Sequence, residues 1–236
     1  MIALIVIAVI ALVAGIFAFF ALYERPSCMD GKQNQDEEGI DCGGACSKLC
    51  VAPRVSALWT RSVRVAPGVY HAVAMVQNPE TGAGTRALPY TFSLYDSENV
   101  LVAERDGTMV LEPGEVIPLF EANVITGERV PVRTLVSFGR AEWNRTERTA
   151  NPLAVGSVSL DAENLQVSVR VSNTSAVPVS KATLTALIYG EGDILVAASE
   201  TVVTGIPARG VKDAVFTWQE PFSPAALRAV VTSRIE

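Results

Sequence analysis

One histidine, His71, serves the whole chain of 236 residues, and nowhere do lysines and arginines gather into a cluster. Imidazole titrates near neutral pH and is the commonest metal ligand, so its scarcity closes most routes to acid–base or metal-centred catalysis. With 19 Lys and Arg against 25 Asp and Glu, a net charge of −6 and a pI near 5.0, the chain lacks the concentrated positive charge that a phosphate backbone demands. Nucleic acid is therefore excluded as a partner. No serine stands in a motif with a general base, and the Gly82-Ala83-Gly84 turn lacks the Lys-Ser/Thr of a phosphate loop. No enzyme is expected. What remains is apolar, 49% hydrophobic against 19% charged, which rules out intrinsic disorder and leaves room for one or two domains.

Residues 2–22 carry no charged or strongly polar side chain. As a helix rising ~1.5 Å per residue, such a run reaches roughly 30 Å, the thickness of a bilayer's hydrocarbon core. Tyr23 follows at the level where interfacial aromatics sit, and Glu24, Arg25 and Pro26 close the run with charge and a helix breaker. A cleaved signal peptide would start basic and carry a shorter apolar stretch, and a buried core helix is disfavoured because β-branched and aromatic residues surround this run on every face. An uncleaved transmembrane anchor over residues 1–25 is the expectation. The positive-inside rule does not orient it, because only Arg25 flanks the run.

The cysteines give the orientation. Cys28, Cys42, Cys46 and Cys50 fall within 23 residues and none occurs elsewhere. Crowding of this kind beside a membrane span predicts disulfides in an oxidising compartment, which places the bulk of the chain outside the cytoplasm. Residues 26–50 thus form a small cysteine-rich segment. Four cysteines allow three pairings, and spacing does not choose among them. A thiolate site for zinc or an iron–sulfur cluster is the alternative, though the three-residue gaps between Cys42, Cys46 and Cys50 lack the usual two-residue knuckle. Five acidic residues in residues 28–50 against Lys32 and Lys48 leave −3 there. Asp30, Asn34, Glu37 and Asp41, in a loop bent by Gly31 and Gly39, are hard oxygen donors of the type Ca²⁺ prefers, although their spacing is not that of an EF-hand. Calcium is the one cofactor this chain suggests, beside the simpler reading of a solvated acidic loop. The run C-x-D-G-x-x-N-x-x-E-x-G-x-D-C-G-G-x-C, residues 28–46, resembles a short cysteine-rich motif of bacterial secreted and surface proteins. That resemblance implies a surface location and no enzymatic activity.

Beyond residue 50 the periodicity becomes that of β structure. Runs at 54–65, 69–77, 90–95, 116–124 and 130–138 are rich in Val, Thr, Tyr and Phe, and turn signals separate them: Ala-Pro-Gly at 66–68, Asn-Pro at 78–79, Asp-Gly at 106–107 and Pro-Gly at 113–114. Tyr90, Phe92 and Leu94 alternate onto one strand face and form the candidate core. The second half repeats the first. Residues 73–78 answer 168–173, 93–95 answer 187–189, 101–103 answer 195–197, and Phe120 answers Phe216. The expected architecture is all-β: two tandem immunoglobulin-like β-sandwiches of about seven strands, at 51–141 and 153–236, joined by a polar linker at 142–152 and preceded by the single helix and the cysteine-rich segment.

The first half contains Phe92-Ser93-Leu94-Tyr95-Asp96, with Val76-Gln77-Asn78 before it and Leu111-Glu112-Pro113-Gly114 after it. These residues resemble the FxLYD domain family, which is similar to the type 2 late-embryogenesis-abundant sandwich. In the second half the signature decays to Ala186-Leu187-Ile188-Tyr189-Gly190. The resemblance implies fold and extracytoplasmic placement, and the family supplies no catalytic residues. Asp96 with Ser97 is expected to start a turn by capping the backbone. Trp59, Trp143 and Trp218 are expected in cores or between domains, with a sugar-binding surface as the alternative. Asn144-Arg145-Thr146 and Asn173-Thr174-Ser175 match the glycosylation pattern. The functional expectation is a membrane-anchored, extracytoplasmic, non-enzymatic interaction or structural module with a protein partner at the cell envelope. The alternative is an accessory subunit of an envelope assembly, secretion or pilus complex.

Overall fold

The computed structural model describes residues 2–22, 27–34 and 36–235, with side chains of the first stretch described at Ile7 and at 10–19. Two compact units divide the chain, Met1–Cys50 and Val51–Glu236. The first opens with helix α1, Ile2–Leu22, 21 residues with neither charge nor proline to interrupt the backbone ladder. Among the described residues no helix is long and apolar enough to cross a membrane. Tyr23, Glu24, Arg25 and Pro26, the expected outer edge of the span, lie outside the described residues.

The second unit is built of strands: β1 (Ser56–Ala66), β2 (Val69–Gln77), β3 (Ala83–Tyr95), β4 (Leu101–Leu111), β5 (Val116–Ile125), β6 (Arg133–Phe138) and the short β7 (Asn144–Arg145), then β8 (Leu153–Asp161), β9 (Gln166–Asn173), β10 (Val179–Tyr189), β11 (Leu195–Ile206), β12 (Val211–Thr217) and β13 (Arg228–Ile235). In the first half the sheets run β1-β2-β5 and β4-β3-β6; in the second they run β8-β9-β12 and β11-β10-β13. The same antiparallel order is laid down twice, with six main strands per half where about seven were expected. Local irregularities recur as well: Leu94 faces Ala103 and Tyr95 faces Leu101, while Ile188 faces Ala197 and Tyr189 faces Leu195, so each copy carries the same bulge.

Each sandwich closes over its own inward faces. Phe92 and Leu94 are fully buried, as their alternation requires, and Leu88, Leu111, Val76 and Val124 of the same half are buried as well. In the second half Val167, Val169, Val171, Leu184, Ile188 and Phe216 form the core. The halves are not independent beads. Val63 and Val73 of the first and Leu187, Leu195 and Ala198 of the second make one buried cluster, flanked by Trp59, Met75, Phe120 and Tyr189. Arg234 of β13 reaches across to the carbonyl of Val110 at 2.6 Å and to Glu115 Oε2 at 3.1 Å.

Two expectations change. Asp106-Gly107 is not a turn; it sits in the middle of β4, opposite Thr91 and Tyr90. A Cβ on Gly107 would lie 2.2 Å from the Tyr90 hydroxyl, so glycine is there to let that ring pass and its hydroxyl donate to Glu121. The linker stretch 142–152 packs on the fold: Trp143 is buried, β7 pairs with Ala83 and Gly84, and Asn151 donates to the Ser233 carbonyl at 2.8 Å. Phe120 and Phe216 are not equivalents. Phe120 lies opposite Val73 on an outer face, whereas Phe216 lies opposite Val167 in a core; a slip of one residue separates the two faces.

Candidate functional site

The cysteine-rich segment has almost no apolar side chain to bury, so cross-links and polar contacts hold it. Cys28 bonds to Cys46 and Cys42 to Cys50. Among the described residues no cysteine is free. Gly44 permits the tight approach at the double glycine, because a Cβ there would fall 1.5 Å from the Asp36 carbonyl oxygen and φ is +50°.

The four expected cation donors are tied into this turn by hydrogen bonds, but among the described residues Asp30, Glu37 and Asp41 do not gather as one ligand cluster. The Asp41 carboxylate accepts the N–H groups of Asp30 at 3.0 Å and Gly31 at 3.1 Å. Asp30 accepts the N–H of Ser27 at 3.0 Å, the N–H of Lys32 at 2.9 Å and the carboxamide of Asn34 at 2.9 Å. Those donors, the Asn34 amide foremost, hold the Asp30 carboxyl below the usual carboxylate range. Glu37 accepts the Asn34 N–H at 3.2 Å and is almost wholly buried. Each polar letter of the motif thus has a hydrogen-bonding task in place of a core. One atom stands apart: Asn34 Oδ1 is buried and has no partner. Cys28, Glu37 and Cys46 cluster with their potential ligand atoms within 4.8 Å. That group does not suit zinc or an iron–sulfur cluster, because both sulfurs are committed to the disulfide and neither is a thiolate.

The signature strand is equally structural. Asp96 Oδ1 accepts the N–H groups of Glu98 at 3.0 Å and Val100 at 2.9 Å, while Oδ2 pairs with Arg129. This is the expected turn cap, and the Val100 N–H is the largest cause of a lowered Asp96 pKa. The Tyr95 ring lies under the Arg133 guanidinium, 4.8 Å from the ring centre, and Tyr189 lies under Arg228 at 4.5 Å. A stacked cation on the strand that flanks the signature is therefore a feature of both copies.

His71 is half-buried on β2, where its Nδ1 accepts the Asn123 N–H at 3.1 Å and its ring meets Phe120 edge-on at 4.9 Å. Burial lowers its pKa, so the neutral imidazole is a packed hydrogen-bond acceptor. None of the tryptophans forms an exposed platform. Trp59 flanks the cluster between the halves, Trp143 is buried, and Trp218 stacks on Phe216 and meets Phe222 edge-on.

Taken together, these features define a disulfide-stapled segment and an all-β tandem whose signature residues hold the fold. No family model and no curated protein matches the chain. Among solved structures it is similar to red sea bream transglutaminase, at 13% identity over 78% of this chain and 30% of that one, with a TM-score of 0.24. The chain spans less than a third of that protein, and a likeness of this degree carries no argument about activity.

Proposed function

We propose that the chain is a membrane-anchored, extracytoplasmic, non-enzymatic module that presents two immunoglobulin-like, FxLYD-type sandwiches to a protein partner at the cell envelope. The observation that carries this reading is the closure of all four cysteines into two disulfides a few residues beyond α1. Such cross-links persist in oxidising compartments and are rare in the cytosol. The anchor in this reading rests on the uncharged apolar run of residues 2–22 in the sequence alone. Recognition then falls to loops and outer sheet faces, because the signature side chains are committed to the fold. The test is fractionation with external protease on intact cells. The chain should need detergent for release and should be cut from outside; a detergent-free soluble fraction, or full protection, overturns the reading. Cross-linking through α1 separates the module from an envelope-machine subunit, which would be captured with a stoichiometric partner.

The orphaned Asn34 Oδ1 favours calcium in the cysteine-rich turn, with Asp30, Asn34, Glu37 and Asp41 as donors. Oxygen donors of this type suit Ca²⁺, and an ion there would meet Asn34 Oδ1, the one buried side-chain oxygen without a partner among the described residues. Millimolar Ca²⁺ should raise the melting temperature of the intact protein, and Asp30→Ala should abolish the shift. An unchanged melting temperature removes the ion.

A further inference from the structure

We propose that Asn144 is an acceptor for an N-linked glycan and that Asn173, the second match to Asn-x-Ser/Thr, is not. The pattern treats the two alike. Their surroundings do not. Asn173 is 2% exposed. Its Nδ2 donates to the carbonyls of Val177 at 2.8 Å and Pro207 at 3.1 Å, and its Oδ1 accepts the N–H and the hydroxyl of Ser175 at 3.0 and 2.8 Å. The nitrogen that an acceptor must offer is committed to tying two loops together, and the hydroxyl is committed within its own turn to Asn173 Oδ1 and the Val177 carbonyl.

Asn144 is exposed on β7, and among the described residues no hydrogen bond holds its carboxamide. The whole stretch 144–150 is exposed. The Thr146 hydroxyl makes only a local bond to the Glu147 carbonyl, at 3.3 Å. Presenting this tripeptide to an enzyme requires opening the two-residue ladder to Ala83 and Gly84 and the bond from Thr146 N–H to the Gly82 carbonyl at 3.1 Å. Local openings of that size lie at the low end of the free-energy scale of a folded protein.

The donor is an oligosaccharide carried on a polyprenyl pyrophosphate. Asn144 Nδ2 forms a bond to the anomeric carbon as the bond from that carbon to the pyrophosphate oxygen breaks. The lipid pyrophosphate leaves with the electron pair, and the amide nitrogen gives up one proton. The native setting rests on the extracytoplasmic reading above, but the following test does not.

Purified full-length protein in detergent, disulfides intact, is incubated with the lipid-linked oligosaccharide and a single-subunit oligosaccharyltransferase first shown to modify a free peptide of residues 140–150. Intact mass should rise by one glycan. The increment should vanish in Asn144→Gln and Thr146→Ala and survive in Thr146→Ser. Asn173 should accept a glycan only after reduction and unfolding. Unmodified folded protein, or a glycan mapped to Asn173 before unfolding, overturns the proposal. Failure of the membrane reading in fractionation would leave this result unchanged, so the two can be told apart.

Discussion

Ser93 on β3 and Leu187 on β10 hold the same place in two copies of one strand, yet one hydrogen-bonds at the surface and the other is completely buried. The Ser93 hydroxyl donates to Glu104, its cross-strand partner, at 3.0 Å. Leu187 lies opposite Ala198, and both belong to the cluster that joins the halves. The complementary change is on β2, whose outward Val73 and Met75 meet that cluster, while the matching positions of β9 are Ser168 and Arg170. Where the repeat departs from itself, it marks the interface.

Leu187→Ser copies the first half into the second and should uncouple the two. Removing a fully buried leucine costs ~2–5 kcal/mol in comparable cores. Because Leu187 packs outside the core of its own sandwich, the loss should fall on the junction. Calorimetry is expected to show one unfolding transition for the parent protein and two for the variant. A single transition at an unchanged midpoint would deny the cluster its coupling role.

Asn78 and Asn173 are the hidden half of the repeat. The Asn78 carboxamide donates to the carbonyls of Ala83 at 2.8 Å and Glu112 at 2.9 Å, tying two loops together as Asn173 does with Val177 and Pro207. Both side chains are buried. Asn78→Ala leaves those carbonyls without their donor, at about 1–3 kcal/mol for each buried group left unpaired. Urea unfolding should show the midpoint fall with little change in slope. Asn78→Asp should be at least as damaging, because a carboxylate supplies no N–H.

Much of this was open to a reader of the sequence, and for definite reasons. Phe92 and Leu94 announce themselves through alternation, and the Asp96 turn through side-chain chemistry. The interface did not, although the continuous apolar run Ala186-Leu187-Ile188 was its trace: a strand buried on both faces loses period two. Gly107 misled because an Asp-Gly pair signals a turn only where no partner ring must cross the strand. One carbonyl contact of each of Asn78 and Asn173 reaches a loop 34 residues away in sequence, which no local pattern encodes. In the cysteine-rich turn the acidic residues and Asn34 stood out by type, but the service of Asp30, Glu37 and Asp41 to backbone N–H groups required coordinates.

The disulfide pairing is directly measurable. Peptide mapping without reduction should recover Cys28 linked to Cys46 and Cys42 linked to Cys50, and no thiol should react before reduction. Mild reduction should loosen the turn, since little apolar surface remains to hold it once the loops they close are released. Recovery of either other pairing, or labelling of all four thiols in protein from an oxidising compartment, would contradict the structure.

Asp96 offers a test of sign as well as size. Its folded carboxyl is held below the usual range, first by the Val100 N–H and further by Arg129 and the Glu98 N–H. An unfolded aspartate titrates near ~3.9. Where the folded value is the lower one, the unfolded chain takes up more protons as pH falls, so the carboxylate's contribution is complete above the unfolded value. It is lost as pH drops through the folded value. The stability gap between the parent protein and Asp96→Asn should therefore stay level from neutral pH down to about 5 and shrink below about 4. Arg170 and Asp213, an exposed pair with nitrogen–oxygen distances of 2.8 and 3.0 Å, provide the contrast. Exposed ion pairs add little, so Asp213→Asn should leave both the midpoint at neutral pH and its acid profile nearly unchanged. A gap for Asp96→Asn that ignored pH would mean that the turn is held by packing and not by its charged cap.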